Sequence, residues 1–473
     1  MDRNRRWLAL VTLCTASLMI ILDGTIVTVA LPTIQADLGF TAGSVSWVVT
    51  SYLITFGGLL LLSGRLGDLA GRKRLFLSGM AVFTLASLAC GLADSPWMLI
   101  TARFVQGAGA AMATAVTLGM IVRLFDQSAE RNRAIGAFAF TGAVGASLGL
   151  VIGGLLVQYA SWHWIFFVNV PVGLLTGIAG WRVLAAERGI GLRAGADVPG
   201  ALLATAGIML VVFAIASRSD WWAAPAGAAV LAGFVFRQAT GRTPLLPLRV
   251  FRSRSVSGAN LAQLFIIAAA MGFQVTTTLY MQRALGYRLA AAGLALFPAA
   301  AVIAVVSLGL SAPLTRRFGS RSVLISGLVM ITAGLALLTQ VPAHAPYATR
   351  LLPLLILFGT GAGLTLPAVT ALGMSDATDA DAGLISGVFN TAQQAGGALG
   401  VALLTSLAAW RTGPGTSAQA LTSGYHLAWL AGTGLGLASV AVAATALRRH
   451  GDRHAPPPGS AGSGSPEGAA DPA

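Results

Sequence analysis

The sequence predicts an all-α, polytopic membrane protein of fourteen transmembrane helices with both termini in the cytoplasm. Three observations predict it: an extreme apolar composition, fourteen apolar stretches of spanning length, and a lopsided placement of basic residues. Of 473 residues, 56% are hydrophobic and 10% charged, whereas soluble domains carry about 25% charged residues. The mean hydropathy is +0.78, so the apolar residues are not offset elsewhere, and so few charges cannot cover a core of that size in water. Glycine supplies 58 residues, and small residues let transmembrane helices approach closely where hydrophobicity does not drive their association.

Crossing about 30 Å of hydrocarbon takes about 20 apolar residues. The first stretch, 7–31, follows Arg3, Arg5 and Arg6 like a signal sequence, but it is longer than a signal's apolar region and reads as an uncleaved span. The others fall at 45–63, 75–93, 97–121, 134–157, 164–183, 198–216, 221–236, 259–281, 291–314, 322–340, 350–373, 383–408 and 426–447. The seventh and eighth read either as spans or as interfacial segments, 221–236 being short; the strongly apolar run 207–216 and Trp221 and Trp222, an aromatic belt at an outer boundary, favour spans. Without that pair the parity of the termini is unchanged, so charge does not separate twelve spans from fourteen. After Arg453 comes a Pro-, Gly-, Ser- and Ala-rich tail, expected to be disordered.

Basic residues in short loops crowd the cytoplasmic side. Of the 30 here, Arg218, Arg283, Arg288, Arg350 and Arg411 fall in outer segments and Arg103 inside a span; the remaining 24 fall on the side of the N-terminus. The net charge of +14 is thus spread over short loops, without the run or stripe that nucleic-acid binding requires. Cys14 and Cys90 lie in apolar runs, so no disulfide framework is expected, and no metal-ligand spacing or cofactor motif occurs. His163, His344, His426, His450 and His454 lie at boundaries, loops or the tail and form no catalytic set, so no enzyme is expected.

Of sixteen acidic residues, Asp23 alone lies deep within a span. A lone membrane carboxylate is a functional suspect. Counted from Trp7 it lies about 24 Å into the bilayer, and Arg103 lies about 9 Å below Trp97 on a span entering from the other side, at similar depth. A conformational change that separates them would release or capture a proton; the alternative is a permanent ion pair that fixes helix packing. Between the second and third stretches, the segment from Gly64 to Arg74 holds Asp68 between glycines that permit a tight turn. By itself it reads as a turn with cytoplasmic charge.

Four motifs in order give a more specific resemblance. Gly64, Leu66, Asp68, Gly71, Arg72 and Lys73 resemble the first cytoplasmic loop motif of the major facilitator superfamily, with Leu69 replacing a usual basic residue. Leu99, Arg103, Gln106, Gly107, Gly109, Ala110 and Ala111 are similar to its fourth-helix motif. Gly145, Gly149, Gly153 and Gly154 resemble the antiporter motif of the fifth helix, with Leu150 at its proline position. Asp23, Thr25, Ala30, Leu31 and Pro32 resemble the first-helix pattern of fourteen-helix drug:proton antiporters, with Thr28 in place of a common asparagine that could orient the carboxylate. Residues 313–321 weakly echo the first loop, as an internal repeat would.

The resemblance implies the major facilitator fold: a six-helix bundle over 1–183, a linker with two extra helices over 184–258, a second six-helix bundle over 259–448 and a cytoplasmic tail over 449–473. It implies alternating access about a central cavity, with Asp68 meeting the N-terminus of the thirteenth span near Ala382. Gly142, Gly145, Gly149 and Gly153 would form a smooth face on which the fifth helix slides against a neighbour. Asn169, Gln274, Tyr280, Gln282, Asn390, Gln393 and Gln394 are polar groups on apolar helices and are candidate cavity residues; each reads equally as a satisfied interhelical bond. The expected function is proton-coupled export of hydrophobic or amphiphilic small molecules, drugs or antibiotics, neutral or singly charged, by a monomer among membrane lipids in a bacterial inner membrane. The alternatives are a metabolite exporter or uncoupled facilitator on the same scaffold and, in another class, a membrane receptor.

Overall fold

A computed structural model describes residues 3–41, 44–125, 128–185, 197–216, 222–241, 253–373, 382–413 and 417–447, with positions 189, 191, 220, 244, 249, 251 and 415. The tail, 449–473, lies outside them. With no water in hydrocarbon to bond free N–H and C=O groups, each apolar segment closes its own backbone bonds as a helix. Among the described residues these form fourteen rods. The first five are α1 (Arg3–Leu38), α2 (Trp47–Ala70), α3 (Arg72–Gly91), α4 (Pro96–Leu124) and α5 (Ser128–Tyr159). Next come α6 (Trp164–Val183, interrupted at Val168), α7 (Val198–Ala216), α8 (Ala223–Thr240) and α9 (Arg254–Arg283). Then α10 runs over Leu289–Val305 and through the π-helical turn Val306–Leu310 into Ser311–Phe318, followed by α11 (Ser320–Leu338). A π-helical turn, Tyr347–Leu351, leads into Leu352–Gly373 to make α12, and α13 (Ala382–Thr412) and α14 (Ala418–Ala446) complete the order.

Each rod coincides with a predicted stretch, but the ends differ because a helix stops at a backbone signal and not where hydropathy falls. α1 continues to Leu38, where Gly39 takes φ +72°. The expected loop from Gly64 to Arg74 is not a loop: α2 and α3 meet at the single residue Gly71, at φ +97°. Eleven helices among the described residues are long and apolar enough to cross a membrane. α8 is not one of them, its sequence being diluted by proline, glycines, Arg237 and Gln238, while α5 and α13 include side chains outside the described set.

α1–α6 pack on one another, as do α9–α14, and their glycine contacts repeat. A Cβ on Gly79 would lie 2.8 Å from Gly109 O between α3 and α4, and one on Gly327 would lie 2.7 Å from Gly361 O between α11 and α12. Gly173 sits against Thr84 as Gly436 sits against Thr332. Gly71, Gly79 and Thr84 share their spacing with Gly319, Gly327 and Thr332, and Gly319 likewise has positive φ, +80°. The weak echo in the sequence is therefore one visible piece of a helix-by-helix correspondence in packing.

α7 lies on the seam between the groups, against α2 and α13, and pairs with α8. Gly58 permits this approach, because a Cβ there would overlap Thr205. Asp197, 5% exposed, precedes α7. It accepts from Arg237 Nε at 2.5 Å, Gln238 Nε2 at 2.8 Å and Gly200 N at 2.9 Å, so it caps α7 and ties it to the far end of α8. Burial raises this carboxyl, but Arg237, Gln238 and the Gly200 N–H outweigh it and hold it below the ordinary value. A depressed carboxylate stabilises the fold above its unfolded pKa of about 3.9 and loses that contribution as pH falls through the folded value. The melting-temperature gap between wild type and Asp197→Ala is thus expected to be constant at neutral pH and to shrink below about pH 4. A gap that widened with acid would contradict this pairing.

Candidate buried charge site and its glycine seams

Asp23 and Arg103 are both fully buried, with Arg103 Nη1 2.6 Å from Asp23 Oδ2. The similar depths counted along the two helices thus become direct contact. Five helices build the site, α1 supplying Asp23 and α2 supplying Val48 and Tyr52. From α4, Gln106 lies one turn after Arg103 on the same face; its Nε2 donates to Asp23 Oδ1 at 3.0 Å and its Oε1 accepts from Arg103 Nη1 at 2.6 Å. From α6, Asn169 Nδ2 donates to Asp23 Oδ1 at 2.8 Å. From α3, Ser87 Oγ accepts from Gln106 Nε2 at 2.6 Å and Asn169 Nδ2 at 3.0 Å. Arg103 Nε donates to Val48 O at 2.9 Å, and its guanidinium lies over the Tyr52 ring at 4.3 Å from the centroid. Only Arg103 Nη2 meets no acceptor among the described residues.

The carboxylate thus accepts from one cation and two amides, enough to hold an ionised group away from water. Thr28, standing where the family pattern has asparagine, donates to Thr25 O at 2.7 Å and leaves the carboxylate alone. The orienting amides come from Gln106 and Asn169 instead. Asn169, expected in a cavity, is 2% exposed and belongs to this network; the break at Val168 offsets α6 at this point. Gln106 was within reach of sequence reasoning, one turn from Arg103. Nothing local marked Ser87 or Tyr52.

The network is one-sided. Gly145 and Gly149 face Leu18 and Leu22 of α1 as Gly396 and Gly400 face Leu264 and Ala268 of α9, so Ala269 occupies the place of Asp23. Gly107 and Gly109 correspond to Gly359 and Gly361, which puts Leu355 and Phe358 in the places of Arg103 and Gln106. All three are buried apolar residues.

The partner of the α5 glycine face is α1. A Cβ on Gly149 would overlap Thr25 Oγ1, one on Gly153 would lie 2.9 Å from Ile26 O, and Gly154 is buried beside it. The side chain of Leu150 and the surroundings of Gly142 lie outside the described residues.

In the helix–glycine–helix motif, Asp68 accepts from Arg72 Nη2 at 3.2 Å, both partly exposed. Its expected meeting with the start of α13 falls on a region whose neighbouring residues, 374–381, lie outside the described set. Lys73, the chain's single lysine, donates to Trp181 O at 2.7 Å and Leu184 O at 2.6 Å, capping the C-terminus of α6. Gly64 faces open space.

The remaining candidate cavity residues separate. Tyr280 is fully buried, donates to Pro342 O at 2.8 Å and meets Trp429 edge-on, so it packs within the second group. Gln282 Nε2 donates to Val29 O at 3.0 Å, beside the turn that Pro32 disturbs in α1. Next to it Arg283 meets Gln35, and these contacts tie α9 to α1. Gln274, Asn390, Gln393 and Gln394 are half-buried, and Gln394 packs on Gly57 of α2.

Residues 13–401 match the model of the Major Facilitator Superfamily. The chain belongs to that superfamily. This transporter is 38% identical over 434 residues to the puromycin resistance protein pur8 of Streptomyces alboniger, covering 89% of this chain and 86% of that one. It is 38% identical over 419 residues to the cephamycin export protein CmcT of Amycolatopsis lactamdurans, covering 86% and 85%. It is 34% identical over 405 residues to the multidrug resistance protein Stp of Mycobacterium tuberculosis, covering 83% and 74%. Its fold resembles a bacterial homologue of the lysosomal transporter Spinster, with a TM-score of 0.69 at 15% identity, covering 94% and 97%. The superfamily and these relatives are transporters, not enzymes, and the chain is a multi-pass protein of the bacterial inner membrane, similar to drug- and antibiotic-export proteins.

Proposed function

We propose that this transporter exports neutral or singly charged amphiphiles, drugs or antibiotics, in exchange for protons by alternating access. In this reading fourteen helices cross the membrane with both termini in the cytoplasm, residues 1–183 and 259–448 forming the two moving bundles and 184–258 carrying the extra pair. The observation that carries the reading is the Asp23–Arg103 pair, sealed from solvent at 2.6 Å inside the first group. The closed network surrounds the Asp23 carboxyl with one cation and two amides; rocking that parts α1 from α4 exposes it to water and opens a route for proton exchange. The repeat-related place holds Ala269, so the reading puts the coupling site in the first group alone. Gln274, Asn390, Gln393 and Gln394 are the cavity residues in this reading, and Asp68 with Gly64, Gly71, Arg72 and Lys73 governs the cytoplasmic side.

The test is Asp23→Asn in reconstituted vesicles. Substrate-driven proton movement and uptake against a gradient are expected to vanish, while downhill exchange persists. Uphill transport that survives in the variant, and still collapses with protonophore, would show that another group carries the proton. Downhill flux alone in the wild type would favour the uncoupled facilitator.

A further inference from the structure

The contacts of α9 fix which way each of its faces points. Ala262 accepts from Ser439 of α14, and Gly258 packs on Ala446 of the same helix. Leu264, Ala268 and Gly272 lie against α13, and Phe273 stacks on Phe358 of α12. The remaining side carries Asn260, Gln263, Ile267, Met271, Gln274 and Gln282 at helical spacing. It faces the first six helices: Ile267 and Met271 converge with Leu53 of α2 on Gly397, and Gln282 bonds Val29 of α1.

On this side two buried amides are left with spare acceptors. Asn260, 5% exposed, donates through Nδ2 to Val256 O at 2.8 Å. A carbonyl can only accept, so this bond fixes the amide's orientation and turns Oδ1 the other way. Asn260 Oδ1 and, one turn on, Gln263 Oε1 in a residue 1% exposed meet no donor among the described residues. Asn390 and Gln393 share an α13 face with Gly397, which points into the same junction of α2 and α9. Measured from the starts of their helices, Asn260 and Gln263 lie about 9 and 14 Å along α9, and Asn390 and Gln393 about 12 and 17 Å along α13. The four amides therefore sit at one level. A buried acceptor without a donor costs free energy in hydrocarbon and is a site for a molecule that supplies one.

We propose that Asn260 and Gln263, with Asn390 and Gln393 beside them, form a substrate-binding patch that accepts hydrogen bonds from N–H or O–H groups of a neutral or singly charged ligand. This rests on the exporter reading and names its substrate chemistry: donor-bearing amphiphiles are held, and donor-free ones of equal charge pass without these bonds. The first group carries the proton site and the second, apolar where the first is charged, carries neutral amide acceptors.

Two monovalent cations separate donor recognition from charge: ethidium, with two aromatic amines, and tetraphenylphosphonium, with no donor. Binding of each to the full chain in nanodiscs is measured by equilibrium dialysis against empty discs. Asn260→Leu and Gln263→Leu are each expected to weaken ethidium about fivefold or more, the worth of one such bond, and to leave tetraphenylphosphonium unchanged. Gln263→Glu, which keeps an acceptor and adds a charge, is expected to tighten both cations and serves as a second readout if a leucine variant does not fold. Ethidium binding that is absent in the wild type, unchanged in folded leucine variants, lost equally with tetraphenylphosphonium, or indifferent to Gln263→Glu overturns the patch. Ethidium bound as expected but never moved across vesicles leaves the patch standing and overturns the exporter reading.

Discussion

Arg103→Leu is expected to destabilise the protein severely, and Asp23→Asn in the same chain to recover most of the loss. Removing one partner of a buried ion pair leaves the other charge uncompensated and costs about 3–5 kcal/mol. Here the cost falls on a carboxylate with no exposed surface, whose other partners, Gln106 and Asn169, are neutral amides. Replacing both charges leaves a neutral amide in place of the Asp23 carboxylate, among other amides, with no charge to desolvate. Thermal unfolding of the four proteins in one detergent measures the coupling as a double-mutant cycle. The order expected is wild type most stable, the double variant and Asp23→Asn intermediate, and Arg103→Leu least. An Arg103→Leu melt close to wild type would mean that water reaches Asp23, contrary to the closed geometry. The recovered double variant is expected to fold yet fail to couple export to protons, which separates the packing role of the pair from its proton role.

Gly149→Val is expected to abolish export through α1. A Cβ at this position would overlap Thr25 Oγ1 and lie 3.1 Å from Leu22 O, and valine adds two methyl groups beyond it. Overpacking of this kind costs about 1–3 kcal/mol where a neighbour must shift, and here the neighbours flank Asp23 in sequence. Parting α5 from α1 therefore also disturbs the carboxylate's contacts. Gly177→Ala in α6 is the control, because a Cβ there meets nothing within 4 Å, and it is expected to export as wild type does. Export by Gly149→Val at the wild-type rate would show that the two helices are not in close contact in the working cycle.

Much of the architecture was legible from residue types alone. Helices in hydrocarbon are obligatory, so apolar length located all fourteen rods, and the loop motif named the glycine between α2 and α3. Its conformation was harder to read: Gly64 to Arg74 is polar and glycine-rich, yet α2 and α3 run through it because Gly71 alone supplies the positive φ. The extra pair was the least legible, since α8 is diluted by polar residues and its attachment rests on Asp197, Arg237 and Gln238, which sequence distance keeps apart.

What the sequence by itself determined is that this chain lives in a membrane, that it is helical throughout the spans, and that one carboxylate and one guanidinium share a depth within the opening four helices. Composition and the 1.5 Å rise suffice for those statements because they concern single helices in a known solvent. Only the tertiary structure decided the company that Asp23 keeps. Asn169 reaches it directly, Ser87 through Asn169 and Gln106, and Tyr52 through Arg103, all by helix crossings that glycine contacts set, and no local signal encodes which face of α6 meets α3. The same holds for Asn260 and Gln263, whose spare acceptors emerge only once every other face of α9 has found its neighbour.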